Sequence, residues 1–123
     1  MSTIKANTLL HSDGSTTTQP SIPALDKRMA KAWVDYDQNA NSVEASYNIS
    51  SVTDVSTGIF RLNFATNMSS NRYVCAGMAD DNRDLSIERG GGTLPTVSDV
   101  TIECRYTTTL DDQPQNTVVI FGS

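Results

Sequence analysis

Hydrophobic and polar residues alternate along two stretches of this chain, with the period of two that a half-buried β-strand requires. The stretches are residues 58–64 (GIFRLNF) and residues 100–107 (VTIECRYT). The residues predicted to point inward are Phe60, Leu62 and Phe64 in the first stretch and Val100, Ile102, Cys104 and Tyr106 in the second. Both stretches therefore predict strands with one face in a core and one face in solvent.

A third strand is predicted over residues 31–35. Ala32, Val34 and Tyr36 share one face of it, and Trp33 points the other way. We expect Trp33 either to cap an edge of the core or to lie at a contact between subunits.

The remaining strands are less regular. Residues 47–52 predict a strand, and residues 54–58 (DVSTG) have the length and turn chemistry of a hairpin loop leading into residues 58–64. Residues 72–79 (RYVCAGMA) alternate poorly, which favours a central strand covered on both faces. Short strands are also expected over residues 85–88 and 116–121, with Gly90, Gly91 and Gly92 as a flexible connection.

About seven or eight short strands separated by polar turns predict an all-β fold, a compact antiparallel β-sandwich of jelly-roll-like or related type. Residues 31–123 are expected to form this sandwich. Residues 1–30 are expected to form a polar N-terminal arm, because residues 1–23 have too few apolar side chains to bury much surface. Residues 24–31 (ALDKRMAK) are the one helix candidate, either an ordinary loop or single turn, or a short neck that packs against other copies.

Composition excludes several classes of partner. The formal net charge is −5 and the nine Lys and Arg residues are scattered, whereas neutralising nucleic-acid phosphates requires clustered cations. No apolar run approaches the roughly 18 residues of a membrane span, and the first residues lack the apolar core of a secretory signal. We expect a protein made in a cytoplasm, with no nucleic-acid partner and no membrane insertion.

The two cysteines, Cys75 and Cys104, would then mature in a reducing compartment, where structural disulfides are rare. We expect two free, buried thiols, although both residues lie on predicted strands and a bridge between them stays open. One histidine and two widely separated cysteines do not make a four-ligand zinc site.

No group of residues matches a catalytic or cofactor-binding pattern. His11 is the only histidine and lies in the polar arm, so a catalytic triad would depend on a mobile base. Asp80, Asn82 and Asp84 have the spacing of the first ligands of a calcium loop, but the Gly and Glu that complete such a loop are missing. The sequence therefore predicts no enzyme activity, no cofactor and no metal.

Polar loops are the candidate recognition sites, because loops on a rigid scaffold often carry binding residues. Asp111 and Asp112 are adjacent acids in a turn, which does not indicate the opposed pair that a glycosidase needs. The tyrosines fall on predicted strands as core or sheet-face residues, so no exposed aromatic platform for a sugar is predicted. The candidate receptor-facing residues are Asp80, Asp81, Asn82, Asp84, Asp111 and Asp112.

Two segments resemble a recurrent module of phage tail-fibre and fibre-like virion proteins. They are KAWVDYD, residues 31–37, and SYNISSVTDVSTGIFRLNF, residues 46–64. The matching positions are Lys31, Ala32, Trp33, Val34 and Tyr36 in the first segment and Asn48, Ile49, Ser50, Ser51, Val52, Thr53, Asp54, Thr57, Gly58 and Phe64 in the second. The pair Tyr73-Val74 and the segment Val119-Ile120-Phe121-Gly122 fit the same pattern, and Ser2-Thr3-Ile4-Lys5 is similar to the start of some such proteins.

This resemblance implies a non-enzymatic, homotrimeric fibre or spike component of a virion, made in the host cytoplasm. Residues 1–30 would attach the chain to other virion proteins, and the sandwich would present its loops to a host-surface glycan or protein. The alternative is a capsid decoration or cement protein that stabilises the particle. A free carbohydrate-binding module and, last, an enzyme assembled between subunits are further alternatives.

Overall fold

The computed structural model describes residues 1–16, 22–88 and 94–122 of the chain. Within these ranges one short helix precedes nine strands. In chain order they are α1 (Pro23–Asp26), β1 (Ala30–Asp37), β2 (Ser42–Tyr47), β3 (Ile49–Ser56), β4 (Ile59–Phe64), β5 (Val74–Ala79), β6 (Asp84–Ile87), β7 (Asp99–Tyr106), β8 (Thr109–Leu110) and β9 (Asn116–Phe121).

The strands form two antiparallel sheets that pack together, so the predicted all-β sandwich is confirmed. Sheet A has the strand order β2-β1-β9-β5. Sheet B has the order β3-β4-β7-β6, and the short strand β8 also pairs with β7. Each sheet combines one pair of consecutive strands with strands that are distant in the sequence. In sheet A, β9 joins β1 to β5, and in sheet B, β7 joins β4 to β6.

The core lies between the sheets and follows the alternation of β1, β4, β7 and β9. The inward side chains predicted from the sequence are buried, namely Ala32, Val34, Tyr36, Phe60, Leu62, Phe64, Val100, Ile102 and Cys104. Tyr36 of sheet A and Phe60 of sheet B meet with ring centroids 5.1 Å apart. Full burial of one such side chain stabilises the fold by roughly 1.5–3 kcal/mol. Tyr106, which was expected on this face, is 51% exposed because it lies at the end of β7.

The strand predicted over residues 47–52 is divided between two strands, because the chain changes sheets at Asn48. This residue has a φ of 55°, a left-handed conformation that asparagine tolerates better than most residues. Its side-chain amide donates to the carbonyls of Lys31 and Thr66, both at 3.0 Å, and its Oδ1 accepts from the Thr66 N–H at 2.7 Å. Asn48 therefore holds a corner at which β2 of sheet A ends and β3 of sheet B begins.

The hairpin between β3 and β4 is tighter than predicted. β3 continues to Ser56, with a register shift between Asp54 and Ser56, so the turn comprises Thr57 and Gly58 rather than five residues. Gly58 has a φ of 68°, and a Cβ there would lie 2.5 Å from the Asp111 backbone nitrogen. The close approach of the loop at residues 111–115 therefore requires glycine at this turn.

Three other expectations have different outcomes. The predicted central strand over residues 72–79 is wrong, since β5 forms an edge of sheet A and exposes 63% of Val74 and 76% of Met78. In the helix candidate over residues 24–31 the structure has a single helical turn, Pro23–Asp26, because β1 already begins at Ala30. The flexible connection predicted at Gly90, Gly91 and Gly92 lies outside the described residues.

The strand directions give the sandwich two different ends. β1 runs from one end, where it begins at Ala30, to the other, where it ends at Asp37. We call these the arm end and the loop end. The antiparallel pairings place at the loop end the connections over residues 38–41, 57–58, 80–83, 107–108 and 111–115. Asn48, residues 65–73 and Gly122 lie at the arm end.

Candidate functional site

The turn after β5 and the loop after β8 meet at the loop end through Arg83. Its Nη2 and Nε donate to Asp111 Oδ2 at 2.7 and 3.0 Å, and its Nη1 donates to Asp81 Oδ2 at 3.1 Å. The guanidinium also lies over the Tyr106 ring, 4.7 Å from the centroid. The hydrogen bond that Arg83 donates to Asp111 is the main cause of a raised Arg83 pKa. Arg83 thus joins two of the predicted recognition loops into one surface.

Asp111 and Asp112 hold these loops in place. Asp111 Oδ2 also accepts from Gln113 Nε2 at 3.0 Å, and Asp112 Oδ1 accepts from the Gly58 N–H at 2.5 Å. A carboxylate that accepts a backbone N–H is a strong, charge-assisted hydrogen bond. Asp111 and Asp112 therefore both help to order the loop end.

The other four candidate residues lie in or beside the turn after β5. Asp80 Oδ1 accepts from the Asp81 N–H at 2.8 Å, and the Asp80 N–H donates to the Gln115 carbonyl at 3.0 Å. Asp81 and Asn82 both have a positive φ, and both are exposed. Asp84 is the first residue of β6. The structure thus brings all six predicted loop residues to one end of the sandwich, together with Asp37 and Asp54.

Arg83 and Tyr106 are residues of this surface that the sequence analysis missed. The only sequence signal for Arg83 is a single cation within the acidic run ADDNRD. Tyr106 looked like an inward residue of an alternating strand. Their contact joins a turn and a strand end that are more than twenty residues apart in the chain, so the sequence alone does not reveal it.

A buried polar seam lies beneath the loop end. Gln38 is 2% exposed, and its Nε2 approaches the carbonyls of Ser56 and Ile59 at 3.2 and 3.4 Å and Asp54 Oδ1 at 3.3 Å. Asn116 is fully buried and donates to the Gln113 carbonyl at 3.0 Å. The Gln38 bonds connect the end of sheet A to the β3–β4 turn of sheet B, and the Asn116 bond holds the loop that precedes β9.

Tyr36 contributes a hydroxyl to the same seam. It donates to Asn41 Oδ1 at 2.9 Å. Burial, followed by the charges of Asp54, Asp112 and Asp37, raises the pKa of Tyr36 to about 12. The phenol is therefore neutral at physiological pH and acts as a hydrogen-bond donor.

Neither thiol is poised for chemistry. Cys75 and Cys104 are both free, and Cys104 is buried whereas Cys75 is half-buried. Burial raises the pKa of each thiol to about 11, and a thiol rather than a thiolate is a poor nucleophile. The expectation of two free cysteines is confirmed, whereas the expectation that both are buried holds only for Cys104.

Within the described ranges, neither a candidate metal site nor a membrane-spanning helix is found. No cluster of three or more His, Cys, Asp or Glu side chains in those residues is arranged to hold a metal ion. His11 Nδ1 lies 3.0 Å from Asp13 Oδ1 in the arm, and the Ser15 N–H is the first cause of a lowered Asp13 pKa. No helix among the same residues is long and apolar enough to cross a membrane.

The solvent-facing side of sheet A is apolar, and we call it the outer face of sheet A. The registers align Tyr47, Trp33, Val119 and Ala76 in one row across all four strands, and Ala45, Asp35, Thr117 and Met78 in the next. Val74 and Phe121 begin a third row. Trp33 is 39% exposed and Tyr47, its direct neighbour on β2, is 37% exposed. An exposed aromatic pair therefore exists where the sequence predicted none.

The solvent-facing side of sheet B is polar, and we call it the outer face of sheet B. Asn63 Nδ2 donates to Ser51 Oγ and Thr53 Oγ1, both at 3.0 Å. Arg105 Nε lies 2.9 Å from Glu103 Oε1, and this hydrogen bond is the first cause of a lowered Glu103 pKa. The side chains of this face satisfy one another and face water.

Comparison with family models, with curated proteins and with solved structures finds no match for the chain.

Proposed function

We propose that this protein is a non-enzymatic structural component of a phage virion, a homotrimeric fibre or spike that presents its loop end to a host-surface glycan or protein. The observation that carries this proposal is the separation of the two ends. The chain enters the sandwich at Ala30 on the arm end, and the predicted recognition loops gather at the opposite end. A module of this shape has one end for attachment and the other free for binding.

The chemistry of the loop end supports a recognition role. Its acids are Asp37, Asp54, Asp80, Asp81, Asp84, Asp111 and Asp112, against the cations Arg83 and Arg105. Such a surface favours cationic or hydrogen-bonding groups on a receptor and disfavours anionic ones. The hydrogen bonds of Arg83, Asp111 and Asp112 fix the loops before binding, which lowers the entropic cost of recognition.

The alternative is a capsid decoration or cement protein. It is favoured by the exposed apolar side chains of the arm, among which Ile4 is 89% exposed and Leu9 is 65% exposed. Apolar residues on a polar segment suit a segment that orders on a partner protein. The arm serves attachment in both proposals, so the location on the particle distinguishes them.

Adsorption competition tests the recognition role. The full chain, added to host cells in excess before the phage that encodes it, is expected to slow adsorption. The double variant Asp80→Lys with Asp84→Lys reverses charge at the loop end and is expected to lose this effect. The matched control, Ser51→Lys with Thr53→Lys on the outer face of sheet B, should compete as well as the natural chain.

Immunogold electron microscopy of intact particles separates the two proposals. Antibodies against the full chain are expected to label fibres or spikes on the tail. Label spread over the capsid, with no competition for adsorption, would support the decoration protein instead. Particles without label would contradict both.

A further inference from the structure

The outer face of sheet A is the part of the molecule that the proposed function leaves unexplained. We propose that it is the surface through which three copies of this chain associate, turned inward around a symmetry axis parallel to the strands. The number of copies rests on the proposed function. The choice of surface rests on the residues of the face itself.

The face has the composition of an interface core. Trp33 and Tyr47 lie side by side at its centre and β2 edge, and Met78 and Val74 are the exposed large apolar residues of its β5 edge. Buried interface cores are enriched in aromatic residues and Met and depleted in charged residues. On this face Asp35 is the one charged member of the two complete rows.

A second copy of the chain fits this face better than a sugar. A sugar site needs several convergent hydrogen-bonding groups. The two complete rows offer only the Tyr47 hydroxyl, Asp35 and Thr117. Thr117 Oγ1 already donates to the Met78 carbonyl at 3.1 Å. The face therefore offers area to bury rather than polar groups to match a ligand.

The size of the face sets the area that such an assembly would bury. Four strands with three rows of side chains cover roughly 20 Å by 20 Å, from the usual spacings of strands and residues. Three copies would together remove roughly 1,200 Å² from water, or roughly 400 Å² for each pair of copies, which is below the roughly 1,000 Å² of a specific pairwise interface. The face alone therefore gives a weak contact, to which the pairing of edge strands must add.

The edges of sheet A fit the same arrangement. In the described residues β2 and β5 each have a strand on one side only, so their outer backbone groups are unpaired. β5 runs toward the loop end and β2 runs away from it. Around an axis parallel to the strands, β5 of one copy would lie beside β2 of the next in the antiparallel sense. All loop ends would then point the same way, as the proposed function requires.

Cysteine cross-linking tests this arrangement. Ala45 on β2 and Met78 on β5 belong to the same row, so rotation about the axis brings them together from neighbouring copies. Within one chain they are separated by three strand spacings, roughly 14 Å, whereas a disulfide needs Cα atoms within roughly 7 Å. Any bond between them therefore joins two copies.

The full chain carrying Ala45→Cys and Met78→Cys would be oxidised with diamide and run on a non-reducing gel. The expected product is a covalent trimer that reduction returns to single chains. The matched control carries Thr53→Cys and Ser86→Cys, exposed residues on the edge strands β3 and β6 of sheet B. It retains the same native thiols and is expected to stay uncross-linked.

Light scattering of the natural chain separates failure of this inference from failure of the proposed function. A trimer in solution whose Ala45→Cys, Met78→Cys variant does not cross-link would overturn the face and leave the fibre proposal standing. The inference would also be overturned if light scattering showed a monomer. On the gel, a covalent dimer as the final product, or equal cross-linking of the control, would overturn it too. The adsorption and labelling experiments then decide the function alone.

Discussion

The outer faces of the two sheets share one backbone pattern but differ in chemistry. On sheet B, Asn63 donates to Ser51 and Thr53 of the neighbouring strand β3, and Glu103 accepts from Ser86 of the neighbouring strand β6, so these polar side chains have partners within the face. On sheet A, the equivalent positions on β1 and β9 are Trp33 and Val119. Large apolar residues that are contiguous on a solvent-facing surface, unlike single ones, often mark an interaction site.

The same difference explains why β5 was misjudged from its sequence. Its run of apolar residues indicated burial on both faces, as in the centre of a covered sheet. The structure places β5 at an edge, with Met78 and Val74 on the apolar outer face. If three copies associate as proposed, the run reflects burial in the assembly rather than in the single chain.

The largest expected effect comes from the core that both sheets share. Phe60→Ala removes a fully buried ring between the sheets, and we expect it to lower the free energy of unfolding by about 3–5 kcal/mol. Ile59→Ala, on the outer side of the same strand, should cost about 1 kcal/mol. Urea unfolding of both variants measures the difference, and equal losses would contradict the assigned core.

The next effect separates the two outer faces. Trp33→Ala is expected to raise the dissociation constant of the assembly by about 30- to 700-fold, which corresponds to about 2–4 kcal/mol for a central aromatic residue. Arg61→Ala on the outer face of sheet B should leave association unchanged. Sedimentation equilibrium measures both. If the Arg61 variant weakens the assembly and the Trp33 variant does not, the roles of the two faces are reversed.

The smallest effect is a pH dependence confined to sheet B. Arg105 lowers the pKa of Glu103 in the folded state. The Glu103 carboxylate therefore contributes its full stabilisation above the unfolded pKa of roughly 4.3. This stabilisation is lost as the pH falls through the lowered pKa of the folded state. Glu103→Gln should therefore reduce stability at pH 7. Urea midpoints at pH 7 and pH 2 should show the gap between variant and natural chain closing in acid. A gap of the same size at both values would show that the ion pair does not cause it.

The candidate recognition site was predictable only in part. The six acidic and amide loop residues were found because turns rich in Asp and Asn are visible in a sequence. Their meeting at one end was not visible, because it follows from the pairing of β5 with β9 and of β6 with β7. Arg83 was missed for the same reason, since its partner Asp111 is 28 residues away in the chain.

The sequence by itself determined which side chains of β1, β4 and β7 point inward, because a period of two is a local property of an extended backbone. It also located most of the turns. Only the tertiary structure decided that Asn48 divides one predicted strand between two sheets, that β5 is an edge, and that Tyr47, Trp33, Val119 and Ala76 form one row. The reason is that strand order and register depend on hydrogen bonds between distant segments, and alternation within a single strand carries no information about its neighbours.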